Sequence, residues 1–332
     1  MTAEVSRELI IELPKAEVHV HLEGCFEPAD VERLAREAGE PLPRPVDKLF
    51  DMTGLDLSAF LELLDWSCGL VRTPEQLARA GYAFAEREAR AGAAYADLIF
   101  NPTHWSAWQG RLEQFIDALD GGLKEAEADG LPPVGLCVSL LRQQSAGEAL
   151  EMVDWLIERR HPRVVALSID GNEAAAGRTG PRFADAFSRA AAAGLHRTVH
   201  AGESSGPEGV WDALHFLHAE RIDHGVRSIE DPALVAELVA RDVTLNVCPG
   251  SNVQLGLYPD LSSHPIDRLR QAGVRVTINT DDPALMSTDL TSEYAACARA
   301  FGWDATVLRQ LARNSVEASF CATDLRHILL AA

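Results

Sequence analysis

Side chains that bind metals or transfer protons stand at the carboxyl ends of short β-rich runs in this chain. They are His19 and His21 on the first run, His200 and His224 on two later runs, and Asp281 and Asp282 on the last. Residues i and i+2 of a strand point to the same side, so His19 and His21 face the same way. Alone, such a pair is more often two hydrogen-bonded core histidines than a metal site. A third histidine and an aspartate complete an N₃O set, which suits Zn²⁺ and leaves a coordination position for water.

Glu203 follows His200 closely, in the segment Thr-Val-His-Ala-Gly-Glu over 198–203. The small residues between them allow the chain to turn sharply and return the glutamate to the pocket. A carboxyl group there could protonate a nitrogen of the substrate. The alternative is an acid near a helix N-terminus, which the helix dipole stabilises.

The pair Asp281-Asp282 precedes Pro283, so it also fits a helix cap before a first-turn proline. Likewise, His224 fits a structural histidine bonded to the backbone. Two adjacent carboxylates in a buried rim would raise each other's pKa unless a metal or a hydrogen-bond donor takes up the charge. We therefore expect a metal on Asp281 and a substrate N–H on Asp282.

Short apolar runs alternate with longer segments of helical period, a pattern typical of repeated βα units. Eight such runs occur, at 17–21, 95–100, 134–140, 164–169, 197–200, 221–224, 244–247 and 275–280. Eight is the number that a closed (β/α)₈ barrel of the TIM type requires. Catalytic groups of such barrels lie at the carboxyl ends of the strands, where the histidines and aspartates fall.

We predict one barrel domain over residues 1–332, because no repeat or linker divides the chain. The stretch at about 26–91 is interpreted as a mainly helical insertion that caps the mouth, with a loop at Pro41, Pro43 and Pro45. Segments 231–241 and 264–272 carry apolar residues at helical spacing and are predicted to be crossover helices.

The formal net charge of -20 disfavours binding to phosphate backbones and anionic membranes and favours neutral or cationic small molecules. Residues 1–11 contain charged side chains and no long apolar run, which argues against a signal peptide and predicts a cytoplasmic location. The six cysteines form no C-x-x-C pair and are interpreted as reduced and mostly structural. The oligomeric state does not follow from the sequence.

Taken in order, the motifs resemble those of the adenosine/adenine deaminase family of the amidohydrolase superfamily. The matching segments are LPKAEVHVHLEG at 13–24, VHAGE at 199–203, IDHG at 222–225, CPGSN at 248–252 and TDDP at 280–283. Together they cover nearly the whole chain and are highly specific. The resemblance implies hydrolytic removal of the amino group of a 6-aminopurine, with release of ammonia.

The resemblance also implies a role for each matching residue. Zinc would be bound by His19, His21, His200 and Asp281. Glu203 would pass a proton to purine N1, and His224 would orient and polarise the attacking water. Asp282 would contact N7, and the backbone N–H of Gly171 would donate to N3. Zinc lowers the pKa of a bound water to about 7, which makes a nucleophile available to attack C6 at neutral pH.

The fourth run departs from the family pattern. It ends in Ser168-Ile169-Asp170-Gly171-Asn172, whereas family members usually place a small residue before the glycine and an aspartate after it. Because no lysine ends this run, a lysine carbamate that would hold a second metal has no candidate. We therefore expect one zinc per chain.

Substrate choice depends on Glu23, which lies two residues beyond His21. Nucleoside deaminases of the family usually read His-Leu-Asp-Gly here, and free-base deaminases usually read His-Leu-Glu-Gly. This chain has the glutamate, which favours adenine or an N6-substituted adenine. Asn101-Pro102-Thr103 stands where free-base enzymes tend to have Asp-Pro-Gln, so the preference is slight.

Two other functions are compatible with these motifs. Another amidohydrolase could use the same metal set on a different amine, amide or ester, because loop residues rather than the metal choose the substrate. A catalytically silent purine-binding protein could also keep the fold. The presence of Glu203 and Asp281 disfavours this second alternative.

Overall fold

The computed structural model describes residues 5–51 and 57–332, and its centre is a sheet of eight parallel strands. The strands pair in chain order from the first to the eighth. Their bounds are β1 Lys15–His21, β2 Ala93–Phe100, β3 Val134–Leu141, β4 Val164–Asp170, β5 His196–Ala201, β6 Arg221–His224, β7 Thr244–Val247 and β8 Val276–Ile278.

A parallel bridge between Val20 and Asp281 joins the end of the sheet to its beginning. The His21 amide donates to the Asp281 carbonyl over 2.8 Å, and the Asp281 amide donates to the His19 carbonyl over 3.2 Å. The sheet is thus a nearly closed (β/α)₈ barrel, which confirms the predicted fold and places two site residues at the closure.

Helices surround the barrel and connect its strands. Their bounds are α1 Arg7–Glu12, α2 Pro28–Ala38, α3 Leu57–Gly69, α4 Pro74–Arg90, α5 Leu112–Ala128, α6 Ala146–Arg159, α7 Glu173–Ala176, α8 Gly180–Ala192, α9 Pro207–His215, α10 Pro232–Ala240, α11 Pro249–Gln254, α12 Ile266–Gln271, α13 Leu290–Phe301, α14 Ala305–Ala318 and α15 Thr323–Ala331. The crossover helices predicted at 231–241 and 264–272 correspond to α10 and α12, each slightly shorter than the prediction.

Several helices begin at strong capping residues. Thr73 and Gln76 form a reciprocal capping box at α4, and Ser145 and Glu148 form another at α6. Each box satisfies backbone N–H groups that have no partner inside the helix. These caps fix where the crossover helices begin and so how they lie against the strands.

The stretch at 26–91 contains α2, α3 and α4. Helix α4 packs against α5 and β2, which is the position of the crossover helix from β1 to β2. Helix α3 lies over the mouth, where Leu61 and Leu64 face the cavity described below. Residues 52–56 of this stretch lie outside the described residues.

A buried ion pair fills the barrel at the end opposite the mouth. Arg221 of β6 donates to Asp97 of β2 over 2.6 Å and to the carbonyl of Val18 over 3.0 Å. Its guanidinium also lies over the ring of Phe320, 3.8 Å from the centroid. Because a buried charge requires such partners, this network anchors the strands below the site.

No helix in the described part of the chain is both long and apolar enough to cross a membrane. Residues 1–4, part of the segment for which no signal peptide is expected, lie outside that description. The six cysteines are all free thiols.

Candidate active site

Four side-chain atoms converge at the carboxyl end of the barrel. The Nε2 atom of His200 lies 3.0 Å from the Nε2 atoms of both His19 and His21. Oδ1 of Asp281 lies 3.3 Å from Nε2 of His19 and 3.5 Å from Nε2 of His21. Zinc–ligand bonds of about 2.0–2.1 Å in a tetrahedron separate neighbouring ligand atoms by roughly 3.3 Å. The four measured separations are close to this value, so these atoms are placed to share one metal ion.

Hydrogen bonds behind the histidines orient their rings. Nδ1 of His19 lies 3.0 Å from the Asn246 carbonyl, which can only accept, so Nδ1 carries a proton and Nε2 is the nitrogen that faces the other converging atoms. Nδ1 of His200 lies 3.4 Å from Asp223 Oδ2, without the alignment of a hydrogen bond. Thr198 and Asn246 donate to the Asp223 carboxylate and hold it beneath His200.

Protonation within this cluster is set by burial and by the neighbouring charges. Burial, followed by the charges of His19 and His21, lowers the pKa of His200 well below its usual value, so this ring is neutral. Burial alone would lower the pKa of His19, but Asp223 and Asp281 raise it to about 9. A metal would compete with that proton for Nε2.

Asp281 and Asp282 are adjacent and both buried, yet their environments differ. Burial would raise the pKa of Asp281, but the contact with His19 and the surrounding imidazoles lower it well below the usual range. Ser251 also donates to Asp281 Oδ2 over 2.7 Å. Burial, and then the charge of Asp281, raise the pKa of Asp282 well above its usual value. The pKa values of the two neighbouring carboxyl groups are thus shifted in opposite directions.

Two site residues adopt a left-handed backbone conformation that is uncommon outside glycine. The φ angles are 63° at His224 and 69° at Asp281. Both residues come at or just after the end of a strand, where the chain turns away from the barrel. This conformation turns their side chains over the mouth and costs backbone free energy, a pattern that recurs at functional sites.

Glu203 and His224 lie beside the four converging atoms. Oε1 of Glu203 is 3.6 Å from Nε2 of His224, which is itself 3.9 Å from Asp281 Oδ2. Burial, and then the charges of Asp281 and Glu173, raise the pKa of Glu203 to about 8. Glu203 is therefore a carboxylic acid with a proton to give at neutral pH.

Glu173 holds the loop that carries Glu203. Its carboxylate accepts the backbone N–H groups of Gly202, Glu203 and Ser205 over 3.0, 3.1 and 3.3 Å. Three charge-assisted hydrogen bonds fix a turn that would otherwise have free donors. Glu173 was not among the residues predicted from the sequence, although an acid directly after Gly171-Asn172 at a helix start is a visible signal.

A cavity of about 220 Å³ lies over the cluster. Its walls contain all the predicted site residues except His19, which is fully buried. The predicted residues in the walls are His21, Glu23, Gly171, His200, Glu203, His224, Asp281 and Asp282. Leu61 and Leu64 of α3, with Leu141 and Leu255, provide apolar contact area. A few polar groups on a partly apolar wall are typical of a small-molecule site.

Glu23 is buried in the cavity wall, only 2% exposed. Its Oε1 accepts the Asn101 backbone N–H over 2.8 Å and the Trp105 indole N–H over 2.7 Å. Its Oε2 is buried and has no hydrogen-bond partner among the residues that the structure describes. One oxygen of the carboxyl group is thus anchored, and the other is unpaired in the cavity wall.

The two departures at the end of β4 have local partners. Asp170 accepts the side-chain N–H of Asn101 over 2.5 Å, and Asn172 caps α7 by accepting the Ala175 N–H. Asp170, Gly171 and Asn172 all line the cavity. Gly171 has φ of 96°, a conformation that favours glycine.

Comparison with known proteins places the chain in a family. The model of the adenosine deaminase family matches residues 14–332. An aminodeoxyfutalosine deaminase from Streptomyces coelicolor is 39% identical over 326 residues, which cover 96% of this chain and 83% of the relative. The chain therefore belongs to the adenosine deaminase family and is a deaminase of the amidohydrolase type.

Solved structures agree with this assignment. An adenine deaminase from Arthrobacter aurescens superimposes with a TM-score of 0.90 at 31% identity, covering 96% of this chain and 97% of that one. An amidohydrolase from Burkholderia ambifaria, solved with bound Zn, has a TM-score of 0.91 at 28% identity, covering 100% and 92%. The fold of this family and the His/Asp cluster together identify a metal site at the mouth of the barrel.

Proposed function

We propose that this protein is a zinc-dependent enzyme that hydrolyses the exocyclic amino group of a 6-aminopurine and releases ammonia. The observation that carries the proposal is the convergence of His19, His21, His200 and Asp281, with ligand-atom separations of 3.0 Å from His200 to each of the other histidines and of 3.3 and 3.5 Å from Asp281 to His19 and His21. Purine substrates are supported by the relatives named adenine deaminase and aminodeoxyfutalosine deaminase. One zinc per chain is proposed because β4 ends without a lysine.

The side chains around the metal position have different chemical roles. Bound zinc would lower the pKa of water toward 7 and so supply a nucleophile at neutral pH. Glu203 keeps its proton at neutral pH and donates it to purine N1, which makes C6 more electrophilic. His224 lies between Glu203 and Asp281 and orients the attacking water.

The purine is held by groups on the opposite walls of the cavity. Asp282 in its protonated form donates to N7, which is an acceptor. The raised pKa of Asp282 favours that form. The backbone N–H of Gly171 donates to N3. Apolar contacts come from Leu61 and Leu64 of α3, which lie over the mouth.

Glu23 supports a preference for the free base. Trp105 and Asn101 anchor its Oε1, so the carboxylate stays in the wall where a ribose would extend from the purine. Its unpartnered Oε2 can accept an N–H from the five-membered ring of a free base. A nucleoside has a sugar at that nitrogen, so it would leave the buried oxygen unpaired.

A second candidate substrate is aminodeoxyfutalosine. The observation that favours it is the 39% identity to a deaminase of that compound over 96% of this chain. With this substrate, the substituent on the purine would extend past Glu23 toward Gln143 and Asn172, which also line the cavity.

The experiment measures, on one zinc-loaded preparation, ammonia release from adenine, adenosine and aminodeoxyfutalosine and methylamine release from N6-methyladenine. Acid release from a panel of amides and esters is measured on the same preparation. We expect kcat/KM for adenine to exceed that for adenosine and Glu23→Asp to narrow the difference. Adenosine turnover tenfold more efficient than adenine turnover would refute the Glu23 argument and leave the deaminase assignment intact. Purine binding without any turnover would instead favour a silent binding protein.

A further inference from the structure

We propose that Asn252 and His264 are positioning residues that hold His224 in the tautomer with its proton on Nε2. In that state His224 donates a hydrogen bond toward the attacking water and cannot bind the metal. This inference rests on the proposed function for its catalytic consequence. The tautomer itself follows from hydrogen bonds that do not involve a substrate.

The spacing of atoms alone leaves the identity of the third histidine ligand open. One ligand atom each from His19, His200, His224 and Asp281 lie within 4.8 Å of one another, so His224 competes with His21 for a place in the metal site. A histidine binds a metal through a ring nitrogen that carries a lone pair. Which ring nitrogen of His224 holds the proton therefore decides between a ligand and a hydrogen-bond donor.

The assignment begins at a backbone N–H, which can only donate. The Ile266 amide at the start of α12 donates to Nδ1 of His264 over 3.2 Å. Nδ1 of His264 is therefore unprotonated. Burial lowers the pKa of His264 to about 3, so the neutral ring carries its single proton on Nε2.

That proton fixes the orientation of the Asn252 amide. Nε2 of His264 lies 3.1 Å from Oδ1 of Asn252 and donates to it. Asn252 is fully buried in α11, so its amide cannot turn toward solvent. The amide nitrogen must then face the opposite way, toward the active site.

The Asn252 amide nitrogen meets both catalytic side chains. It lies 3.3 Å from Nδ1 of His224 and 3.4 Å from Oε1 of Glu203. Nδ1 of His224 therefore accepts, and the proton of this neutral ring is on Nε2. That Nε2–H points toward Glu203 and Asp281, between which the attacking water is proposed to lie.

Two consequences follow for the reaction. The lone pair of His224 is used by Asn252 on the side away from the metal, which leaves His21 as the third histidine ligand. The donor for the water is set before substrate binds, so no reorganisation is needed during the reaction. The ring of Tyr258 packs edge-on against His264, with centroids 4.8 Å apart, and keeps the chain of bonds in place.

The first test reads the tautomer directly. Zinc-loaded protein labelled with ¹⁵N in histidine is measured by long-range ¹H–¹⁵N correlation, with His224 assigned by its absence from a His224→Asn sample. We expect the pattern of a neutral ring protonated on Nε2. A ring protonated on Nδ1, or a charged ring, would overturn the proposal whether or not the enzyme deaminates purines.

The second test uses two substitutions that mimic different nitrogens of His264. Glutamine places an amide nitrogen near Nε2 and can still donate to Asn252, whereas asparagine places its amide near Nδ1 and cannot. We expect His264→Asn to lower kcat by about 10- to 100-fold with KM and zinc content nearly unchanged. His264→Gln should recover about tenfold of that loss.

An equal loss of kcat in the two variants would show that His264 acts only through packing. That result would overturn the proposed chain of hydrogen bonds from His264 through Asn252 to His224. Should either variant fail to fold, the tautomer of unmodified His224 still decides the question. A zinc-loaded wild type without purine turnover would refute the proposed function, a result separate from the NMR reading.

Discussion

Gly24 and Asp282 are in such close contact that the glycine has no room for a side chain. A Cβ atom on Gly24 would lie 2.1 Å from Oδ1 and 2.4 Å from Cα of Asp282. Gly24 also accepts the backbone N–H of Ala284 over 2.9 Å. The turn after β1 thus forms the back wall for the carboxyl group that is proposed to hold purine N7.

Replacing Gly24 with alanine should displace Asp282. We expect Gly24→Ala to lower kcat/KM for adenine by at least about tenfold and to cost about 1–3 kcal/mol of stability, because both backbone and side chain must shift. Steady-state kinetics and urea unfolding measure the two effects. The control is Gly121→Ala in the exposed face of α5, where a Cβ meets no atom within 4 Å. A Gly24→Ala enzyme with normal kinetics would contradict the proposed contact.

Active enzyme should contain one zinc per chain. His19→Ala and His200→Ala should each lose the metal and the activity together, because the three remaining ligands no longer form the tetrahedral set. Elemental analysis of dialysed protein measures the stoichiometry, with exposed His215→Ala as the variant that keeps its zinc. Two metals per active chain would show that a further metal site exists.

Glu203→Gln tests the proposed proton donor. Glutamine preserves size and polarity but has no acidic proton, so zinc content should stay normal while kcat falls by about 10²- to 10⁴-fold. Exposed Glu208→Gln on α9 serves as the matched control with wild-type kinetics. A Glu203→Gln enzyme with near wild-type kcat would mean that the N1 proton comes from another group.

The environment of His104 predicts that the stability of the folded protein depends on pH. Burial alone would lower its pKa, but the 2.5 Å hydrogen bond with Asp65 and the charges of Glu23 and Asp170 raise the pKa to about 9. The unfolded chain has the ordinary value near 6.5. The stabilisation that protonated His104 gives to the folded state is therefore fully present below about pH 6.5 and is lost as the pH rises through 9.

Urea unfolding of zinc-loaded wild type and His104→Gln at several pH values checks this expectation. The wild type should exceed the variant in unfolding free energy at pH 6, and the difference should shrink by pH 9.5. Exposed His327→Gln provides the matched histidine control. A pH-independent difference for His104→Gln would show that the Asp65 contact adds no charge-dependent stability.

The barrel was predictable because its strands are short apolar runs with clear ends. Strands β6 and β7 begin and end at the predicted residues, while β1 and β2 begin two residues earlier than predicted. Strand β8 is shorter than predicted, at Val276–Ile278, because the chain leaves the sheet before Asp281 bridges to Val20. Periodicity locates an element but not the residue at which its pairing ends.

The supporting residues of the site were not predictable in the same way. Glu173 binds the backbone of a loop that begins 29 residues later, and His264, which precedes α12, contacts Asn252 of α11. Such contacts depend on how loops fold back over the barrel, which neither spacing nor residue type reveals. The proposed ligands were visible because they stand at or just beyond the carboxyl ends of strands, which meet at one rim of a barrel.

The left-handed backbone at His224 and Asp281 limits how these two positions can be studied or altered. L-residues lose about 1–2 kcal/mol in this conformation, and asparagine, aspartate and histidine are among the few side chains enriched there. Alanine would therefore change the chemistry and strain the turn at once, so its effect would mix two causes. Asparagine can adopt the same left-handed turn, so its effect reports only the loss of the imidazole or carboxylate. The same restriction narrows the sequences that could replace the site by gradual substitution, because each step must satisfy the backbone as well as the reaction.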